Sequence, residues 1–262
     1  MEGKTKVKGK IINLIKKTAL YSIYKENSRM KHERNKLFPG KVRLVDLCNA
    51  RYITRKPIYD FLIENADNIS GNVLDFGCGS MEYKKILRNV NKYSGLDIEG
   101  ADKNGFFAQD VIYYDGVHIP FENGVFDAVI SIEVFEHVEL LDDVLLELNR
   151  VMKQGKKLFF TVPMFFPGHL EPYDYRRFTK YGIKKKLELA GFAIEKIEGS
   201  TTFRNTLRRM KILESEKRGG HKWLLKIRYI LSNVCFLHSN NVTEDEKAPI
   251  DWLVICRKDK EL

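Results

Sequence analysis

Short apolar runs alternate along the middle of this chain with stretches whose apolar residues recur at three- and four-residue spacing, the pattern of a parallel sheet with crossover helices. Strands are expected at 72–76 (NVLDF), 92–97 (KYSGLD), 126–132 (FDAVISI) and 157–163 (KLFFTVP), with a short strand somewhere in 106–114. Helices are expected at about 82–90, 138–152 and 178–190, the last closed by Gly191. The alternating segments FAIEKIEG (192–199) and IDWLVICRK (250–258) complete a seven-stranded, mostly parallel, Rossmann-like α/β sheet with helices on both faces.

The last two strands are too far apart in sequence for a hairpin loop. Residues 203–240 therefore read as a helical insert, with Trp223, Ile227, Ile230, Leu231 and Val234 on a face that needs burial. Upstream, Ile11, Ile12, Ile15, Ala19 and Ile23 share one side of a helical projection, and IYDFLIENA after Pro57 has helical spacing. The expected organisation is a basic helical extension (1–50), a core (51–202), a basic insert (203–240) and a closing strand (241–262). Packing of the first helix on the insert, through Ile12, Ile15, Ala19 and Ile23, would bury both apolar faces.

Charge adds a second layer to this picture. The net +10 is concentrated at two places: residues 1–43 hold 13 Lys/Arg against 3 Glu, and 203–240 hold 9 against 2, so the remainder is acidic. Two basic flanks suit an anionic partner, either a membrane surface or, less favoured, a nucleic acid. The apolar stretch Ile11 to Ile15 is too short for a secretory signal, and no run approaches the ~20 apolar residues of a spanning helix. Four scattered cysteines form neither a CxxC knuckle nor a disulfide framework, which fits a reducing cytoplasm. The expected location is cytoplasmic, with peripheral contact at the inner face of a membrane.

The candidate chemistry begins at VLDFGCGS, where an apolar strand runs into Asp75, Gly77 and Gly79. Paired glycines let a backbone turn sharply and approach a ligand closely. A dinucleotide fingerprint would place a third glycine at position 82, where this chain has Glu82, a poor neighbour for a pyrophosphate. Asp75 suits a cationic amino group instead, and Asp97, ending the next strand, suits the two hydroxyls of a ribose.

VLDFGCGS, YSGLD, DGVHIPFENGVFDAVISIEVFEHV and LLELNRVMKQGKKLFFTVP, in that order, resemble the successive motifs of class I S-adenosylmethionine-dependent methyltransferases, especially the type-11 domain. The resemblance covers roughly residues 52–199 and the closing strand. It departs at Met81, where many members have a further glycine, and in a shortened connection after Asp97. It implies S-adenosylmethionine as cofactor, with Asp75, Gly77, Cys78 and Gly79 along the methionine part and Asp97 on the ribose. Asp115 would face the adenine amino group, and Ile132 and Glu133 would line the site near the methyl sulfonium. As a residue before Gly116, Asp115 also reads as a plain turn former, and Cys78 as a small packing residue.

His137, just beyond the fourth strand, is the titratable candidate for general base, with a purely structural role as its alternative. PGHLEPYDYRRFT (167–179) follows the fifth strand and supplies His169, Tyr173, Asp174, Tyr175 and Arg176 as acceptor-binding candidates; packing and capping roles account for these residues equally well. PYDYRRFT, YYDGVHIPF and EVFEHV resemble a subgroup associated with bacterial cell-surface polysaccharide synthesis, which implies a small polar or glycan acceptor, methylated on a hydroxyl or amino group. An RNA ribose methyltransferase and a non-catalytic cofactor-binding scaffold are the competing readings. No His/Asp/Glu spacing typical of a metal ligand set occurs along the sequence, so no metal is expected.

Overall fold

A computed structural model describes residues 44–98, 110–219, 221–243 and 246–260; the expected amphipathic helix around 11–23 and most of the connection after Asp97 lie outside them. Seven strands form one sheet: β1 Gly71–Phe76, β2 Val90–Ile98, β3 Ile112–Tyr114, β4 Phe126–Ile132, β5 Met152–Pro163, β6 Phe192–Gly199 and β7 Asp251–Lys258. Their order is β3-β2-β1-β4-β5-β7-β6. Neighbours are parallel except β7, which runs antiparallel to both β5 and β6. The order reverses between β1 and β4, and the loops leaving the carboxyl ends of two such strands diverge and open a crevice.

The helices are α1 Leu44–Leu47, α2 Tyr52–Glu64, α3 Leu141–Val151, α4 Lys180–Leu189, α5 Phe203–Arg218 and α6 Lys222–Ser239. Successive strand residues point to opposite faces, so each strand feeds two cores. On one face Leu74, Val129, Phe160, Trp252 and Val254 pack with Val144 and Leu148 of α3 and Ile183 and Leu187 of α4. On the other, Val73, Ile130, Phe159 and Leu253 pack with Phe61 and Leu62 of α2, Ile212 of α5 and Phe236 of α6. The sheet is thereby held rigid beneath the crevice.

Three expectations need correction. The helix at about 82–90 is a single 3-10 turn, Lys84–Ile86. Thirteen residues between β1 and β2 must return the chain along a six-residue strand of ~20 Å. After the glycine loop too few remain for an α-helix rising ~1.5 Å per residue to span that distance. Helix α2 begins at Tyr52, before Pro57, and carries the proline inside it. Burial of Tyr52 and Ile53, both fully enclosed, offsets the one hydrogen bond that proline cannot donate. Finally, α6 does not bury the face predicted for it: Trp223, Leu231 and Val234 are exposed, while Asn233 and Phe236 are buried. Asn233 Nδ2 donates to the carbonyls of Leu47 and Asn49 at 2.8 and 2.9 Å, which turns its polar face inward and fastens α1 to the insert.

Candidate cofactor and acceptor site

The glycine loop leaves β1 and is fastened at once to the end of β2. Gly77 N and Cys78 N donate to the Leu96 carbonyl at 2.8 and 3.1 Å, and Gly79 N donates to Asp97 Oδ2 at 2.9 Å. The other Asp97 oxygen accepts from Ile98 N at 2.8 Å. Burial pushes the Asp97 carboxyl up and these two backbone donors pull it down. Gly77 has a φ of 72°, and a Cβ there would lie 2.4 Å from Val134 Cγ2. Gly79 also has a positive φ, 45°, but a Cβ there would meet nothing within 4 Å. One glycine is needed for close packing, and the other faces open space.

Met81 occupies the position where a further glycine is common, and its φ of 53° is left-handed. Glycine adopts that conformation without steric cost, which explains its frequency there. The Met81 methyl also fills the room in which a Cβ on Gly95 would sit, 2.1 Å away, with Cys78 Sγ at 2.8 Å. Cys78 is buried and burial pushes its thiol up, so it is a packing group of the loop. Glu82 is ion-paired with Arg55 of α2 at 2.8 Å. Because no α-helix opens after the loop, the concentrated N–H donors that a pyrophosphate would use are lacking there.

Asp75 is almost fully buried beneath this loop. It accepts a 2.5 Å hydrogen bond from the Tyr93 hydroxyl, and burial, partly countered by that bond, pushes its carboxyl up to about 7. Asp115 behaves differently. Its Oδ1 accepts from Val117 N and His118 N at 2.8 and 2.7 Å, and Oδ2 lies 2.8 Å from His118 Nδ1. The exposed carboxylate therefore closes its own turn, as the plain turn reading requires.

Across the crevice, Ile132 ends β4 against the core beneath α2, and Glu133 follows with a φ of 55°. Such strain in a non-glycine residue persists only where the surroundings enforce it. Here Thr161 of β5 does so, donating its hydroxyl to Glu133 Oε1 at 2.7 Å and accepting Glu133 N at 3.2 Å. Glu133 is also hydrogen-bonded to Asp251 at the start of β7, and burial together with the Glu133 charge holds the Asp251 carboxyl well above its usual range. Glu136 is completely buried and is pushed up by burial and by Glu133. Sequence reasoning missed Glu136, which lies between Phe135 and His137, and Asp251, which lies between Ile250 and Trp252, because nothing local shows that the fold brings them together.

His137 lies beside this acidic cluster. Its Nδ1 is 2.7 Å from the Tyr173 carbonyl, so it is the donor and Nε2 keeps its lone pair. Nε2 is 3.6 Å from Glu136 Oε1, and burial lowers the ring's pKa below the ordinary histidine value. The structure thus brings His137 to His169, whose rings meet edge to face at 4.8 Å.

The 167–179 loop divides by role. Arg177 fixes it, donating Nε to the Phe166 carbonyl at 2.8 Å, NH2 to the Pro167 carbonyl at 2.9 Å, and a bidentate pair to Asp174 at 2.6 and 2.8 Å. Asp174 also accepts His169 N at 2.8 Å. Arg176 donates to the carbonyls of Val138 and Glu139, tying the loop to the segment after β4. Asp174 and Arg176 are therefore engaged within the protein, whereas the rings of Tyr173 and Tyr175 are exposed.

Residues 74–160 match the family described as methyltransferase domain. The uncharacterised protein MJ1252 of Methanocaldococcus jannaschii is 31% identical over 147 residues, 55% of this chain and 52% of that protein. The chain spans about half the length of the curated relatives it matches. Among solved structures, the [4+2]-cyclase SpnF aligns with a TM-score of 0.52 over 77% of this chain and 80% of its own, at 16% identity. A chain from the complex of the Trm112 methyltransferase activator of Haloferax volcanii aligns with 0.50 over 84% and 100%, at 15% identity. At such identities the shared property is the fold, and a cyclase on it shows that fold alone does not set the reaction. The family match is the more specific finding: residues 74–160 match a methyltransferase-domain model, and that likeness supports S-adenosylmethionine as the cofactor.

Proposed function

We propose that the chain transfers the methyl group of S-adenosylmethionine to a hydroxyl or amino group of a small polar or glycan acceptor. The observation that carries this reading is the join between Gly79 and Asp97, with open space beside the glycine and the acidic residue already oriented by two backbone donors. Asp97 would receive the ribose hydroxyls, the Gly77–Gly79 backbone the methionine part, and Asp75 its amino group. When bound, the cofactor supplies a methyl group on a sulfonium, ready for in-line displacement.

What the chain adds is placement and proton handling. Glu133 and Ile132 border the position between cofactor and acceptor, and the exposed Tyr173 and Tyr175 rings suit stacking on a sugar face. His137, with Nδ1 held by a carbonyl and Nε2 available, is the group placed to take the acceptor's proton. The similarity of PYDYRRFT, YYDGVHIPF and EVFEHV to enzymes of cell-surface polysaccharide synthesis supports a glycan precursor as acceptor.

Calorimetry should show S-adenosylmethionine and its demethylated product binding while NAD does not. Incubating the protein and isotopically labelled cofactor with cell-envelope and RNA fractions, then analysing products by mass spectrometry, should place label on a glycan. Tight NAD binding without S-adenosylmethionine binding overturns the cofactor assignment, and label found in RNA alone overturns the acceptor.

A further inference from the structure

We propose that Glu136, His137 and His169 hold a divalent first-row transition-metal ion on the acceptor side of the crevice. One donor atom from each lies within 4.8 Å of the other two, close enough that small side-chain adjustments would wrap them around an ion with bonds of ~2.0–2.2 Å.

Each side chain is prepared for a cation in its own way. Glu136 is completely buried, and neither of its carboxylate oxygens has a hydrogen-bond partner. A buried carboxyl with both oxygens unpaired is strongly unfavourable unless something compensates it. Arg177, the cation that acts on it, is already committed to Asp174 as a bidentate pair. His137 donates Nδ1 to the Tyr173 carbonyl at 2.7 Å, the outer hydrogen bond that commonly orients a metal-bound imidazole. His169 Nδ1 lies 3.3 Å from the Pro167 carbonyl and 3.4 Å from the Arg177 guanidinium, and the ring brings the second imidazole donor into the cluster.

Two imidazoles and one carboxylate suit zinc, manganese or iron better than calcium or magnesium, which prefer all-oxygen sets. Three protein ligands leave positions open, and an acceptor hydroxyl entering one of them would give up its proton to water at lower pH than when free. That catalytic role rests on the methyltransferase reading and makes His137 a ligand instead of a base. Ion binding by itself does not depend on it.

The test uses tag-free full-length protein, dialysed against a chelator and titrated with manganese chloride under electron paramagnetic resonance. One manganese per chain is expected, displaced by zinc chloride but not by an equal concentration of magnesium chloride. Glu136→Gln and His169→Asn should each weaken manganese binding at least tenfold, while His238→Asn, a histidine on the exposed side of α6, should not. Binding of the demethylated cofactor, measured on the same chelated samples, reports on folding and on the methyltransferase reading separately. Absence of a stoichiometric manganese site in the wild type, or unchanged affinity in both cluster variants, overturns the proposal.

Discussion

At the scale of single residues, Asp75 makes the sharpest prediction. Its folded-state pKa, about 7, lies above the ordinary 3.8, so the folded protein holds this proton where the unfolded chain has released it. Stability of the cofactor-free protein should therefore fall as pH rises from about 4 to about 7, and Asp75→Asn should flatten that slope in thermal unfolding. The Tyr93 hydroxyl and the carboxylates of Asp97 and Glu82 face the same group. Since a cationic amino group needs the ionised form, affinity for the demethylated cofactor should rise about tenfold between pH 6 and pH 8. A flat profile in calorimetry would remove Asp75 from the site. The loop glycines give a paired prediction. Gly77→Ala must hold a left-handed φ and also collide with Val134, so it should lose roughly 1–3 kcal/mol or more of stability. Gly79→Ala meets no neighbour; it should unfold closer to wild type, yet bind cofactor at least tenfold more weakly.

At the scale of elements, the 167–179 loop is held on itself and on the stretch after β5 chiefly by Arg177. Arg177 satisfies two carbonyls of the 164–168 stretch and pairs with Asp174, whose side chain is only 6% exposed. Arg177→Ala should cost roughly 1.5–3 kcal/mol and raise KM for the acceptor while leaving cofactor affinity near wild type. Thermal unfolding and separate cofactor and acceptor titrations check this; equal loss at both sites would mean that the loop supports the whole crevice. The same tertiary dependence explains the misread face of α6. Its apolar residues follow helical periodicity, yet the face turned inward carries Asn233 because two carbonyls of the α1 region need a donor.

At the scale of the whole molecule, the exposed side of α6 presents Trp223, Leu224 and Leu231 together with Lys222 and Arg228, with Lys226 half-buried beside them. Among the described residues, no helix is long and apolar enough to cross a membrane. We propose that this side and the basic 1–43 segment meet an anionic membrane surface, where each Lys or Arg contributes about 1 kcal/mol of attraction. Full-length protein should sediment with anionic but not neutral vesicles, and release as salt screens exposed charges. Protein lacking residues 1–43, or carrying Lys222→Glu with Lys226→Glu, should sediment less. Equal and negligible sedimentation of all three ends the membrane proposal, and tight RNA binding would replace it.

Periodicity and punctuation by themselves determined the seven strands, α3, α4 and the helical insert, because burial on one side of a regular element is written every second or every third to fourth residue. The motif order likewise singled out Gly77, Gly79 and Asp97, which lie at strand termini whose positions the same pattern sets. Only the tertiary structure decided that Asp115 closes a turn, that Asp174 and Arg176 are engaged within their loop, and that Glu136, His137 and His169 converge. Asp115 and Asp174 take partners within five residues, where the local sequence allowed turn and ligand roles alike; Arg176 and the cluster depend on the 167–179 loop arriving beside the segment after β4. His169 is more than thirty residues from Glu136 and His137, so no spacing along the chain announces the cluster, and only the packing of the loop against the segment after β4 brings the three together.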